Sequence, residues 1–326
     1  MLPASILDEV YGTVGVAEIA RHTRLVSPPL TREELASESH PWTHEVELLF
    51  TSWQAPVFDV GTLARFPRLR AVFYGAGSIR YMATPEFWRR DIILTTAASA
   101  NAVPVSEYTI AATLMGLKRM WPLSRATRDS KTFDRGSFEP DGPFRSRVGL
   151  ISMGVIGRLV RERLLPFDLE VAAYDPFLSP TNAADFDVLP LSLAELFASC
   201  SVVSLHAPRL PETIGMITGE LIASMKPNAT FINTSRGALV KETEMCTVLR
   251  HRPDLQAVLD VTDPEPPSPD SPLYSLPNVV LTPHIAGSLG WERRRLGKLM
   301  IEEFHRFRRG EPLHHKVTEA QAASMA

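Results

Sequence analysis

The run GLISMGVIGRLV places Ser152, Gly154 and Gly157 at the three positions of a G-x-G-x-x-G turn, directly after an apolar run and at the start of a helical pattern. In such a turn the second glycine lets the backbone approach a pyrophosphate, and the third lets the helix pack closely on the strand. Val155 and Ile156 fall at the helix start, where backbone N–H groups face the anion. Ser152 replaces the first glycine, the one that normally permits the tight turn. Asp175 closes the next apolar run, EVAAYD, 18 residues past Gly157. A carboxylate there can accept hydrogen bonds from the adenosine ribose hydroxyls. A 2′-phosphate would meet like-charge repulsion at Asp175, and Pro176-Phe177 offers it no arginine, so the pattern favours NAD over NADP.

Holding such a turn requires a parallel sheet, and the sequence supplies one. VGLIS, EVAAYD, SVVSLHAP, ATFINTS, LQAVLDV and VVLTPHIAG are apolar runs that end in small or polar residues. Parallel strands buried on both faces read this way. Ligands gather beyond the carboxyl ends of such strands, and those ends carry His206, Ser235, Arg236, Asp260 and His284. The first hundred residues alternate apolar runs at 46–50, 69–74 and 92–95 with helical or turn-rich segments at 31–38 and 84–90, which predicts a small α/β unit. Residues 105–120 show helical spacing, and Pro122 is expected to end that helix. The basic run Arg293-Arg294-Arg295 reads as a solvated helix face, PEPPSPDSP as a rigid loop, and residues 311–326 as a fraying end.

The chain has 326 residues, 44% hydrophobic and 22% charged, which supports a sizeable core and favours two domains. Its net charge of −3 lacks the cationic footprint of phosphate-backbone binding, so no nucleic acid is expected. Cys200 and Cys246 form no CxxC pair, and no uncharged stretch approaches the roughly 20 residues of a membrane span. A cytoplasmic location with no membrane association is the expectation. His40 and His44 have metal-ligand spacing on a helix, but Pro41 disfavours that helix, and no metal is assigned. Ser106 and Ser204 lie in no G-x-S-x-G elbow, which leaves hydrolase chemistry unsupported.

FINTSRGALV around Arg236, VLDVTDPEPP around Asp260 and Glu265, and LTPHIAGS around His284 resemble the arginine, glutamate and histidine motifs of the D-2-hydroxyacid dehydrogenases. With SLHAPRLPET, MKPNATFINTSRG and ANAVPVSEYT the resemblance extends, in order, from about Leu69 to Leu296. It implies two doubly wound α/β domains of the Rossmann and flavodoxin type. The NAD-binding domain, 105–282, would be inserted into a substrate domain built from 1–104 and 283–326. It further implies hydride exchange between NAD and C2 of a small 2-keto or 2-hydroxy acid. Arg236 would bind the carboxylate and polarise the carbonyl through two parallel hydrogen bonds. His284 would be the general acid and base, with Glu265 on its other ring nitrogen. Asp260 would lie near the nicotinamide end, with His206, Ala207, Thr234 and Ser235 along the cofactor and Gly287 among the cofactor-binding residues.

Two first-domain loops are candidates for the substrate. In YGAGSIRYM, Gly77 and Ser78 can offer backbone donors to a carboxylate, while Arg80 and Tyr81 stand where the family more often has small or acidic residues. In FTSWQAPVF, Trp53 could border an apolar pocket or pack between helices. Residues 121–144 resemble the family's dimerisation arm, which implies a homodimer. Two alternatives keep the fold and change the function: an NAD-sensing corepressor-like scaffold without turnover, and a dehydrogenase of formate or phosphite type.

Overall fold

The computed structural model describes residues 4–133, 142–323 and 325. The chain divides into two compact units, 1–101 with 288–326, and 102–287. In chain order the strands are β1 (Leu48–Thr51), β2 (Ala71–Tyr74), β3 (Ile93–Thr96), β4 (Arg147–Ile151), β5 (Glu170–Tyr174), β6 (Leu189–Pro190), β7 (Val202–Leu205), β8 (Thr230–Asn233), β9 (Gln256–Leu259), β10 (Val279–Leu281) and β11 (Lys316–Val317).

The second unit is a seven-stranded sheet in the order β10-β9-β8-β7-β4-β5-β6, and every pairing is parallel. Strand order reverses between β4 and β7, so both neighbouring strand ends open there. That is the place where doubly wound sheets leave a crevice for ligands. One face is covered by Leu196, Phe197, Ile222, Met245 and Leu249 packed on Val203, Leu205 and Phe231. On the other, Val160, Leu164, Ala112 and Leu117 pack on Val148, Leu150, Ile232 and Val258. Burial on both faces is why these strands read as continuous apolar runs.

The first unit has β1, β2 and β3 parallel and in sequence order, with β11 antiparallel at the edge. Phe58, Leu63, Phe66 and Phe87 cover one face. Val10, Tyr11, Ile19, Leu296, Met300 and Phe304 cover the other. No helix of the described residues is long and apolar enough to cross a membrane.

Three local expectations need correction. Pro122 does not end the helix before it. That helix, Ala98–Leu117, stops where Arg119 turns left-handed, and Pro122 sits in the first turn of the next helix, Met120–Ser130, where its missing N–H has no intrahelical partner to lose. The end of the chain does not simply fray: β11 pairs with β3, Glu319–Ala322 is a capped helical turn, and the buried carboxylate of Glu303 accepts from the His314 and His315 backbone N–H groups. The arginine run is not wholly solvated either. Arg293 pairs with Glu9 and stacks 5.2 Å from the Trp53 ring, and Arg294 lies 3.6 Å from Asp8. Of residues 121–144, those from 134 to 141 lie outside the described residues.

Candidate active site

β4 leads into a turn whose first residue, Ser152, has φ +79°, so a serine adopts the left-handed backbone that a glycine would take without cost. Its hydroxyl donates to Asp175 Oδ2 at 3.3 Å, and the Met153 N–H donates to the same oxygen at 2.7 Å. Asp175 Oδ1 accepts from Phe177 N–H at 2.8 Å. The acid at the end of β5 is thereby fixed against the turn, with both acceptor sites of Oδ2 used and one of Oδ1 left for a ligand hydroxyl. Gly154 caps helix Val155–Leu164, and no side chain among the described residues satisfies the helix's first N–H groups. Those donors, on Val155, Ile156 and Gly157, are what a pyrophosphate needs. A Cβ at Gly157 would fall 2.1 Å from the Ser152 carbonyl oxygen, so only glycine lets the helix start this close to the turn. Ser152→Gly should remove the left-handed strain and also lose the bond to Asp175. A net stabilisation of up to about 1 kcal/mol is expected in urea unfolding; a destabilised variant would show that the hydroxyl bond outweighs the strain.

At the end of β7, across the reversal, His206 is buried and neither ring nitrogen has a partner among the described residues. Burial pushes the ring's pKa down to about 4. The neighbouring Ala207 carbonyl accepts from Ser235 Oγ at 2.5 Å, and Thr234 Oγ lies 3.4 Å from Thr109 Oγ.

No sequence motif points to Asn233, yet it shapes the turn that carries Arg236. Its Oδ1 accepts from Ser235 N–H at 3.0 Å and its Nδ2 donates to the Arg236 carbonyl at 3.1 Å. A Cβ on Gly237 would lie 2.0 Å from the Thr262 carbonyl carbon, so this glycine lets the arginine turn press against the backbone leading to Glu265. The Arg236 guanidinium is half-buried and donates to the Ser235 carbonyl at 2.6 Å. It has no ion-pair partner among the described residues. Burial lowers its pKa from the ordinary arginine value; the Glu265 charge opposes that shift and Arg209 adds to it.

Glu265 Oε1 lies 2.6 Å from His284 Nδ1, and both side chains are about half exposed. His284 has φ +53°. Its loop is held by Asp260, a carboxylate only 2% exposed. Asp260 Oδ1 accepts from Thr282 Oγ at 2.6 Å and Ile285 N–H at 2.8 Å, and Oδ2 from Ala286 N–H at 2.9 Å. Because Thr282 donates to Asp260, the Tyr108 hydroxyl 2.9 Å away is the donor to Thr282. Tyr108 thus braces the histidine loop from helix Ala98–Leu117, a role no local motif announces. Asp260→Asn should turn one of these bonds into a donor facing a donor, costing about 1–3 kcal/mol of stability. Turnover should fall with it while NADH binding changes less; unchanged turnover and stability would remove Asp260 from the support of this loop.

In the first unit the loops after β1 and β2 are tied together. Ser52 Oγ donates to the Gly75 carbonyl at 2.8 Å, and the Tyr81 hydroxyl donates to the Trp53 carbonyl at 2.9 Å. Trp53 is 36% exposed, with the Arg293 guanidinium over its ring. The N–H groups of Gly77 and Ser78 have no partner among the described residues. Arg80 is exposed, and Arg32 stacks over Tyr81. Gly287 closes the second unit, next to Ala286 on Asp260.

Residues 110–286 match the NAD binding domain of the D-isomer specific 2-hydroxyacid dehydrogenases. The D-3-phosphoglycerate dehydrogenase of Mycobacterium bovis is 33% identical over 248 residues, 76% of this chain and 47% of that protein. The chain therefore spans about half the length of that relative. The (S)-sulfolactate dehydrogenase of Chromohalobacter salexigens is 33% identical over 249 residues, 76% of this chain and 80% of that one. Among solved structures, the TT0316 protein of Thermus thermophilus superposes with a TM-score of 0.74 at 28% identity, covering 98% of each chain. An all-parallel sheet with a glycine turn at its reversal point, together with these matches, makes this chain a member of the D-isomer-specific 2-hydroxyacid dehydrogenase family, with the family's NAD-binding domain at residues 110–286.

Proposed function

We propose that the protein is an NAD-dependent dehydrogenase interconverting a small 2-keto acid and the corresponding 2-hydroxy acid. One observation carries the reading: His284 is held through Nδ1 by Glu265 at 2.6 Å, while the half-buried Arg236 guanidinium has no acidic partner among the described residues. Bound NAD supplies or accepts the hydride at C2. Arg236 binds the substrate carboxylate and draws electron density from the carbonyl oxygen. With Nδ1 engaged, Nε2 of His284 is the atom that gives a proton to that oxygen in reduction and removes it in oxidation. Glu265 keeps the ring aimed and offsets its charge as the proton moves.

The helix N–H groups of Val155, Ile156 and Gly157 hold the pyrophosphate, Asp175 the adenosine ribose, and His206, Ala207, Thr234 and Ser235 the remainder of the cofactor. The nitrogens of His206, unpartnered among the described residues, and the helix start brought close to the turn by Gly157 fit such a ligand. Gly77 and Ser78 supply N–H donors to the substrate carboxylate, and Trp53 an apolar wall.

Arg209, exposed and close enough to depress the Arg236 pKa, favours substrates with a second anionic group. The phosphoglycerate and sulfolactate dehydrogenases among the relatives act on acids of that kind. The protein is a cytoplasmic homodimer in this reading. Met120, Phe133 and Phe144, all exposed on or beside the 121–144 segment, form the apolar contact, and light scattering on the purified protein tests it.

The deciding assay is NADH oxidation with glyoxylate, pyruvate, hydroxypyruvate and phenylpyruvate beside their phosphorylated or sulfonated counterparts, with an NADPH control. Turnover, faster for the dianionic acids and slowed selectively by Arg209→Ala, supports the reading. NADH binding with no turnover across the panel would favour the sensing scaffold instead.

A further inference from the structure

We propose that Glu18, His22 and His305 form a zinc-binding site that clasps the helix Gly12–Ala20 to the helix Arg293–Arg309, apart from the dehydrogenase machinery. One ligand atom from each residue lies within 4.8 Å of the other two. Glu18 Oε1 is 3.5 Å from His22 Nε2 and 3.2 Å from His305 Nε2. Zinc bonds of ~2.0–2.1 Å to nitrogen and oxygen give a tetrahedron with edges of ~3.3–3.4 Å, so these two separations already suit adjacent corners. The imidazoles meet edge to face, with centroids 5.4 Å apart and planes at 84°. Two imidazoles and a carboxylate are borderline and hard donors that suit a divalent ion of the zinc type, and a water completes the fourth position.

The helices that carry these residues are brought close by their glycines. A Cβ at Gly12 would strike the Arg294 guanidinium at 1.8 Å, and one at Gly15 would come within 3.0 Å of Ile301. A Cβ on Gly297 would lie 2.0 Å from the Val10 carbonyl oxygen. Contacts advancing from Gly12 with Arg294 to Gly15 with Ile301 bring Glu18 level with His305. Glu18 and His22 are four residues apart, so both reach the same side where the helix ends. Arg21 donates to Glu18 Oε2 at 2.5 Å, which leaves Oε1 as the single ligand oxygen and orients it, the part that supporting partners play around metal ligands. Glu18 and His305 are partly shielded and His22 lies exposed at the rim, so an ion can enter without unfolding the helix pair.

The test uses the full chain, stripped of metal by a chelator and titrated with Zn²⁺ alone by calorimetry, with Co²⁺ as a spectroscopic substitute. One ion per chain, a raised melting temperature and a tetrahedral Co²⁺ spectrum are expected. His22→Ala and His305→Ala should each weaken binding by more than the ~10–100-fold typical of losing a supporting partner. A far-UV circular dichroism spectrum and a metal-free melting temperature matching the unmodified protein's report that each variant keeps the helix pair folded. If His305→Ala perturbs the helix pair, His22→Gln, at an exposed position, carries the same prediction. Absence of Zn²⁺ binding by the unmodified protein would overturn the proposal and leave Glu18 as a carboxylate bridging two imidazoles. Zn²⁺ binding unchanged in the His22 variants would do the same by placing the ion elsewhere.

Discussion

Asparagine at His284 is expected to lower kcat for 2-keto acid reduction by about 10²–10⁴-fold, the range a positioned proton donor contributes, with NADH affinity nearly unchanged. Asparagine is a better probe than alanine, because the residue has φ +53° and asparagine tolerates that backbone. The loop held by Asp260 then stays in place, and the loss reports the proton. Arg236→Lys should act differently. Its ammonium keeps the charge but not the planar pair of donors, so KM should rise and kcat fall together, and Arg236→Ala should be worse. Glu265→Gln keeps a hydrogen bond to Nδ1 without the charge that offsets the ring as the proton moves, and it should lower kcat while the substrate KM changes less. Steady-state kinetics across pH, with NADH titrations alongside, separate these outcomes. Wild-type turnover in both His284→Asn and Arg236→Ala would refute the assignment.

Much of this site could be read from sequence because its signals are local. A glycine turn between an apolar run and a helical pattern, followed by an acid at the next strand end, gives Gly154, Gly157 and Asp175 within one β-α-β unit. The positions of Arg236, Asp260 and His284 follow from apolar runs long enough to be buried strands, since polar residues at their carboxyl ends face the crevice. What sequence does not show depends on residues far apart in the chain. Tyr108 meets Thr282 across 174 positions, and Ser288 N–H meets Asn101 across 187. His305 reaches Glu18 from the opposite end of the sequence, whereas His40 and His44 lie close in sequence on the short turn Pro41–Glu45 and its cap. The polar segments that depart from expectation share one cause. Arg293 and residues 314–317 look solvated by composition, but they find carboxylates or strand edges that composition does not reveal. Pro122 departs from expectation because a proline's effect depends on which turn of which helix it occupies.

His206 carries the largest expected pH effect on stability. Its ring is buried without a partner for either nitrogen among the described residues, and its pKa falls from 6.5 to about 4. Between those two values the unfolded chain binds a proton that the folded protein refuses, so stability rises with pH in that window. The contribution is intact above pH 6.5 and lost as the pH falls, reaching about 3 kcal/mol by pH 4. Below that the folded ring also protonates and the loss stops growing. Urea unfolding of the cofactor-free protein at pH 7, 5.5 and 4 should therefore show wild type losing more stability than His206→Gln, which cannot titrate. The gap between them should change by about 3 kcal/mol across the range. Parallel curves would mean that the ring is solvated or paired, and would also weaken its place along the cofactor. The two readings are linked physically: the nitrogens that make this histidine expensive to protonate are unpartnered, and a donor and an acceptor left free at the reversal of a parallel sheet are what a ligand there can use.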